Sequence, residues 1–449
     1  MKKGLIPELL VGILCVILVI GGVRAFTKDS QEGKEPGAEA TLTPEPEDDD
    51  KDDDKDDDRD DKDDDKKDDK EDTEAGGLLN QTTSSGSITD LEMMDKKADY
   101  IKKLIDNYYL YEVSEEDYEV ALYRALLDAC NDPYTCYYTP EEYAELEESS
   151  SGIYCGIGCL VSQNVNTMLI TIVKPFAGSP AAKAGVKAGD IVTGVDGEDI
   201  SGQDINLVVS KMKGLEDTEV TITVYRESVG EYLDFTMKRA YIEVETVTYE
   251  KMREGSHKLG LITVSEFEEL TLKQFEEALE DLKDWGMEGL VIDLRDNPGG
   301  LLDTVTEMLD PLLPKGLSVY MQDKYGNRDE YKSDSKCYEL PMVILINGNS
   351  ASASEIFAGA MQDYEKATIV GTQSFGKGIV QSVIPLTDGS AVKMTIADYY
   401  TPLGRNIHGV GITPDVVVEL PAGESASSVE REKDTQLKKA VELLLEEIR

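Results

Sequence analysis

A strand-to-helix turn built from small residues constrains this chain more than any other segment. The run Met342-Val-Ile-Leu-Ile346 is short, apolar and rich in β-branched residues, which predicts a buried strand. After Asn347-Gly-Asn-Ser-Ala-Ser-Ala-Ser-Glu355, apolar residues recur at helical spacing over 356–361. Ser352 followed three residues later by Glu355 fits a helix capping box. The pattern therefore places Ser352 at a helix N-terminus, where negative charge is favoured.

A serine at such a position can act as a nucleophile if a base lies nearby, because the oxyanion of its tetrahedral intermediate is stabilised there. The chain has two histidines, His257 in a polar run and His408 in a glycine-rich turn, and neither segment is typical of a catalytic base. A buried, neutral lysine can take the hydroxyl proton instead. Lys377 fits this role, because it lies between two glycines in Ser374-Phe-Gly-Lys-Gly-Ile-Val-Gln381, with apolar neighbours that can exclude water.

Catalysis by Lys377 requires its pKa to fall from about 10.4 toward 7, which burial can supply. On a strand, residues 377, 379 and 381 share one face, so Gln381 is expected to orient the Lys377 amine by a hydrogen bond. Considered alone, Ser352 could also be a helix cap without a catalytic role, and Lys377 could be an ordinary charged residue in a loop. The two motifs together decide between these interpretations.

The two motifs, with Ser352 and Lys377 separated by 25 residues, resemble those of the carboxy-terminal processing proteases, also called tail-specific proteases. The resemblance extends over residues 91–420. It implies that Ser352 is the nucleophile, that Lys377 is the general base, and that Gln381 supports the lysine in this role. It also implies that the amide of Gly300, or failing that Gly299, joins the Ala353 amide as an oxyanion hole. Gly300 ends the strand-like run Leu290-Val-Ile-Asp-Leu-Arg-Asp-Asn-Pro-Gly-Gly300.

The N-terminal quarter of the chain predicts a membrane anchor and a charged tether. Two lysines precede fifteen apolar residues at 9–23, which fit either an uncleaved signal anchor within residues 1–26 or a cleaved signal; either way the rest is exported. Residues 27–90 contain a run, 45–74, with 21 acidic and 7 basic residues, so we expect a disordered acidic linker. The net charge of −46 disfavours nucleic acid and anionic membrane surfaces as direct partners.

The middle of the chain divides into a helical and a β-rich part. Residues 91–148 show helical spacing around the turn Asn131-Asp-Pro-Tyr-Thr-Cys-Tyr-Tyr138, and the family has a similar helical cap there. Residues 149–240 have the short strands and glycine turns that resemble a PDZ domain, which binds a peptide as an added strand. The resemblance implies that a loop captures the terminal carboxylate of a protein tail, and that residues 203–212 form the other wall of the groove. The loop consists of Tyr154, Cys155, Gly156, Ile157 and Gly158.

Residues 241–428 alternate strand and helix patterns, which predicts an α/β core, and the family resemblance implies that this core is of the ClpP/crotonase-like type. Residues 429–449 are predicted to form an amphipathic helix, which could serve in packing or in a homo-oligomer. Five of the six cysteines are exported; Cys155 and Cys159 either bridge or stay free thiols. Histidine is scarce and the cysteine spacings are wrong for zinc, so we expect no metal and no cofactor.

The resulting hypothesis is a multidomain α/β protein, a membrane-tethered, extracytoplasmic serine endopeptidase. Its PDZ domain would recognise C-terminal tails of protein substrates, and its Ser–Lys dyad would cleave them. The alternative is a non-catalytic, membrane-anchored PDZ adaptor. A crotonase-like hydratase or isomerase shares the oxyanion architecture but gives the Ser–Lys pair no role.

Overall fold

A computed structural model of this protein describes residues 91–334 and 336–448, with side chains from residue 93 onward. The predicted anchor and acidic linker lie outside the described residues. Helix α1 (Leu91–Tyr108) belongs to one compact unit, which ends at Ser114, and residues from Glu115 onward belong to a second. No helix in the described part is both long and apolar enough to cross a membrane.

The second unit begins with a small helical segment. It contains α2 (Glu115–Asp128), β1 (Cys136–Tyr138) and α3 (Pro140–Ser151). Thr139 and Glu142 cap α3 reciprocally, and Gly152 ends it in the left-handed conformation, with φ 72°. The chain then enters a β-rich domain.

The β-rich domain is a twisted sheet with two helices, flanked by a two-stranded ribbon. Its elements are β2 (Ile153–Gly156), β3 (Cys159–Gln163), β4 (Ile170–Pro175), α4 (Pro180–Ala184), β5 (Ile191–Val195), β6 (Glu198–Asp199), α5 (Ile205–Met212), β7 (Glu219–Arg226), β8 (Glu231–Lys238) and β9 (Ala240–Glu243). The strand order is β3-β4-β5-β7-β8, with β6 on β5, and β2 pairs with β9. Alternate residues of the strands, such as Val220, Ile222 and Val224, fill its core with Val208 of α5.

The last domain contains two sheets and four helices. Its elements are β10 (Val247–Glu254), β11 (His257–Val264), α6 (Glu269–Trp285), β12 (Gly289–Asp293), α7 (Leu302–Leu309), β13 (Gly316–Asp323), β14 (Arg328–Ser333), β15 (Met342–Ile346), α8 (Ala353–Asp363), β16 (Thr368–Gly371), β17 (Ile379–Pro385), β18 (Ala391–Tyr400), β19 (Val416–Val417) and α9 (Thr435–Ile448).

The main sheet has the order β10-β11-β12-β15-β16-β19 and is parallel from β11 to β19. Its central strand β15 is buried on both faces, which explains its continuous apolar sequence. Ile344 packs in the core that holds α6, α7 and α8, whereas Val343 and Leu345 pack in the core that holds α9. Parallel strands that end together bring the turns after β12 and β15 to one edge of the sheet.

The second sheet ties the N-terminal segment to this domain. Its order is β1-β18-β13-β14, with β17 also on β18. Cys136 of β1 lies opposite Lys393 of β18, so a strand that precedes the PDZ-like domain in sequence forms part of the last domain's sheet.

The predicted fold class is confirmed: an N-terminal helical region, a PDZ domain and an α/β core follow one another. The predicted domain boundaries stay predictions. Two local expectations are wrong. Lys377 lies in a loop before β17, and a β-bulge between Val380 and Gln381 breaks the alternation that was expected to align residues 377 and 381. The C-terminal helix begins at Thr435 rather than near residue 430.

Candidate active site

Ser352 differs from the other serines of its motif in exposure and backbone conformation. Ser350 and Ser354 are fully buried, and their hydroxyls donate to the carbonyls of Leu294 and Asn297, at 2.8 and 3.0 Å. Ser352 is only partly buried and has φ 54° and ψ −115°, a conformation that a non-glycine residue rarely adopts. The flanking serines therefore hold the turn to the end of β12, while Ser352 is presented at the start of α8.

The glycine turn after β12 lies directly against Ser352. A Cβ atom on Gly299, which has φ 110°, would come within 2.8 Å of Ser352 Cβ and 3.0 Å of the Ala353 amide nitrogen. The Gly299 amide already donates to Asn297 Oδ1 at 2.8 Å. In contrast, the Gly300 and Ala353 amides have no acceptor among residues 91–334 and 336–448. The sequence suggests Gly300 or Gly299 as a donor of the oxyanion hole. Of these two, Gly300 is the one whose amide can donate a hydrogen bond to a substrate.

The Lys377 amine lies in a half-buried, mixed environment. Its Nζ is 4.5 Å from the ring centroid of Tyr134. The pKa of Lys377 is lowered to about 8. Burial is the main cause and the positive charge of Lys393 acts in the same direction, whereas the carboxylates of Asp132 and Glu355 oppose the shift. A substantial fraction of the amine is therefore neutral near pH 8.

Glu355 connects the serine turn to the lysine loop. Its carboxylate is fully buried, and Oε2 accepts from both the Ser352 amide at 2.9 Å and the Lys377 amide at 2.8 Å. Its Oε1 accepts from Ser374 Oγ at 2.6 Å and from the Gly376 amide at 2.7 Å. Four donors thus satisfy one buried charge, as burial of an ionised group requires.

The structure brings Ser352, Lys377, Ala353 and the Gly299–Gly300 turn together, but it does not join every predicted pair. No hydrogen bond links Ser352 Oγ to Lys377 Nζ among the described residues; such bonds are often long before substrate binds. Gln381 donates to Thr395 Oγ1 at 3.3 Å rather than approaching the Lys377 amine. Its supporting role therefore stays a prediction.

Sequence reasoning missed two aromatic residues at this site. Tyr134 belongs to the turn 131–138, for which the sequence predicts no role at the site. Asp132 holds that turn by accepting from the Tyr134 amide and Thr135 Oγ1, at 3.0 and 2.7 Å. Tyr399 donates its hydroxyl to the backbone of both Ser352 and Lys377. A buried tyrosine hydroxyl needs a partner, but the sequence gives no indication of which partner it is.

The predicted carboxylate loop of the PDZ domain is shorter than expected. Tyr154, Cys155 and Gly156 belong to β2, and the Cys155 amide donates to Glu148 Oε1 at 3.3 Å. The amides of Ile157 and Gly158 have no acceptor in the part of the chain that the structure describes. Gly158 has φ 73°, and a Cβ there would lie 2.5 Å from Ser179 Cβ, so only glycine fits.

The five cysteines of the described residues are free thiols. The expected alternative of a Cys155–Cys159 bridge is therefore wrong. Burial raises the pKa of Cys159 to about 12, so this thiol is unreactive at neutral pH. No group of three His, Cys, Asp or Glu side chains within the described ranges is arranged to hold a metal ion.

Comparisons with known proteins agree with this architecture. The profile of Peptidase family S41 matches residues 258–418, and a PDZ domain profile matches residues 171–226. A carboxy-terminal-processing protease of Bartonella bacilliformis is 43% identical over 301 residues, 65% of this chain and 68% of that protein. A probable CtpA-like serine protease of Staphylococcus saprophyticus is 36% identical over 358 residues, 79% of this chain and 71% of that protein.

Among solved structures, the photosystem II D1 C-terminal processing protease is 28% identical, and the match covers 74% of this chain and 95% of that one, with a TM-score of 0.44. The fold and the relatives define a serine-type, C-terminal processing peptidase with a PDZ domain. The chain belongs to peptidase family S41.

Proposed function

We propose that this protein is a membrane-tethered, extracytoplasmic endopeptidase in which Ser352 is the nucleophile and Lys377 the general base. One observation carries the dyad: Glu355 Oε2 accepts from the amides of both residues. The lowered pKa of Lys377, about 8, adds to this geometry. A lysine titrating near the working pH is suited to general-base catalysis.

In the proposed reaction the neutral Lys377 amine takes the Ser352 Oγ proton as Oγ bonds to the scissile carbonyl carbon. The carbonyl oxygen becomes an oxyanion that accepts from the Gly300 and Ala353 amides, each donor worth roughly 2.7 to 4 kcal/mol. The protonated amine then gives its proton to the leaving nitrogen as the C–N bond breaks, which leaves an acyl-Ser352. The same amine then takes a proton from a water molecule that attacks the acyl carbon. The bond from this carbon to Oγ breaks, the new carboxyl terminus leaves, and the amine returns the proton to Oγ to restore the Ser352 hydroxyl.

Substrate tails are proposed to bind along β3. This strand is at an edge of its sheet, where its backbone can pair with an added peptide strand. Gln163 connects β3 to the start of α5, the other wall of the groove. Its side chain donates to Gln203 O at 2.7 Å and accepts from the Ile205 amide at 3.2 Å. The unpaired Ile157 and Gly158 amides at the start of β3 are suited to the terminal carboxylate of a protein substrate.

The membrane tether rests on the apolar run at 9–23 and the two lysines before it, which lie outside the described residues. We expect the full chain in the membrane fraction of cells and a form lacking residues 1–26 in the soluble fraction. Protease added to intact cells stripped of their wall or outer membrane should degrade the full chain. An equal distribution of the two forms, or protection of the full chain in intact cells, would contradict this part of the proposal.

The dyad is tested by Ser352→Ala and Lys377→Met in the full-length protein. Each is expected to lower cleavage of a reporter with an apolar C-terminal tail by at least about 10³-fold, because the nucleophile or its base is removed. Lys324→Met, which removes an exposed lysine elsewhere in the same domain, should leave the rate unchanged. A serine-reactive probe should label Ser352 in the wild type, and peptide mapping identifies the labelled residue.

Turnover retained in either dyad variant would overturn the assignment. If the wild type binds the tail but neither cleaves it nor takes up the probe, the protein is a PDZ binding module instead.

The pH dependence of kcat/KM tests the electrostatic environment of the base. The neutral amine is the active form, so kcat/KM should rise with pH through about 8 and then level off. Asp132→Asn removes a negative charge that raises the pKa of Lys377, so the rise should move to lower pH. Lys393→Gln removes a positive charge that lowers this pKa, so the rise should move to higher pH. Shifts in the same direction for both variants would show that another group titrates.

A further inference from the structure

Tyr399 is buried at the end of β18 and reaches both halves of the proposed dyad. It is 1% exposed, and its hydroxyl donates to the carbonyl of Lys377 at 2.7 Å and to that of Ser352 at 3.0 Å. One hydroxyl proton is thus shared between two backbone acceptors that are 25 residues apart in sequence. The Tyr399 amide also donates to Gly378 O at 3.0 Å, so its backbone and its side chain contact the same loop.

This contact complements the one made by Glu355. Glu355 Oε2 accepts from the amides of Ser352 and Lys377, whereas the Tyr399 hydroxyl donates to their carbonyls. Both backbone polar groups of both residues are therefore bound to the same two side chains. These four hydrogen bonds link the backbone of Ser352 to that of Lys377.

The two carbonyls do not depend on Tyr399 equally. Ser352 O also accepts from the amides of Glu355 and Ile356, at 2.9 and 3.0 Å. Lys377 O has no other donor among the residues that the structure describes. Loss of the hydroxyl would therefore chiefly release the carbonyl of Lys377, which lies in the loop before β17.

We infer that Tyr399 is a positioning residue for the reaction, which holds the Lys377 backbone so that its amine reaches the Ser352 hydroxyl. This inference rests on the dyad proposed above. Burial of a hydroxyl costs free energy unless it is hydrogen-bonded, and the two carbonyl acceptors offset that cost for Tyr399. A phenylalanine would fill the same apolar space without a hydroxyl. A shift of about 1 Å in a reacting group can cost on the order of 10²-fold in rate.

The test compares Tyr399→Phe with Tyr400→Phe in the full-length protein. Tyr400 is the adjacent tyrosine of β18; its ring stacks on Tyr320 with centroids 4.9 Å apart, and its hydroxyl has no hydrogen-bond partner within the described residues. Tyr399→Phe is expected to lower kcat about 10- to 100-fold with KM unchanged, because the PDZ groove is untouched. Tyr400→Phe should retain wild-type kcat and KM.

Two further measurements separate positioning from other roles. Burial raises the pKa of Tyr399 well above its usual range, so its hydroxyl stays neutral and Tyr399→Phe should leave the pH at which kcat/KM rises unchanged. Replacement of Tyr399 by 4-aminophenylalanine keeps a donor at the same place and should restore most of the lost kcat. This rescue also answers the case in which the phenylalanine variant folds poorly.

A wild-type kcat for Tyr399→Phe, equal losses in the two tyrosine variants, or failure of the amino analogue to restore kcat would each overturn the inference. Its failure is distinguishable from failure of the dyad. If Ser352→Ala or Lys377→Met retains turnover, the proposed function is wrong; if both lose turnover and Tyr399→Phe does not, only the positioning role is wrong.

Discussion

The burial of the Glu355 carboxylate is the constraint on which the site depends. A fully buried negative charge is stable only if donors surround it, and here all four donors come from Ser352 and the loop 374–377. The charge therefore draws the lysine loop onto the start of α8. The same bonds help to hold Ser352 at φ 54°, a conformation that surrounding structure must enforce. Positioning of the proposed nucleophile and base thus follows from satisfying one buried group.

The lysine environment is assembled from parts of the chain that are far apart in sequence. Tyr134 comes from the turn before β1, Lys393 from β18 and Glu355 from α8. Pairing of β1 with β18 places Cys136 opposite Lys393 and so fixes the Tyr134 turn next to the amine. The PDZ domain lies between β1 and the last domain in sequence.

The sequence predicts the parts of the site that depend on local patterns. The apolar strand 342–346, the turn after it and the helix from Ala353 have clear periodicity, and Ser352 follows from them. Lys377 follows from its glycine and apolar neighbours. The alignment expected of residues 377 and 381 fails because Lys377 lies in a loop and a β-bulge shifts the register of β17, and no local pattern predicts that bulge. The role of Tyr134 depends on the pairing of β1 with β18, which are more than 200 residues apart. The role of Tyr399 depends on hydrogen bonds to the backbone of Ser352 and Lys377, 47 and 22 residues away, which no local pattern predicts. Glu355 was recognised only as a helix cap, since its bonds to the lysine loop exist only in the folded chain.

The most direct test of this account is the rate at which a serine-reactive probe acylates Ser352 in Glu355→Gln, with Glu365→Gln as an exposed control on the same segment. The Glu355 charge raises the pKa of Lys377, so its removal alone would increase the neutral fraction of the amine and speed acylation. If the carboxylate instead holds the two residues in place, acylation should fall about 100-fold near pH 7.5 while the control matches the wild type. An unchanged or faster rate in Glu355→Gln would contradict the account.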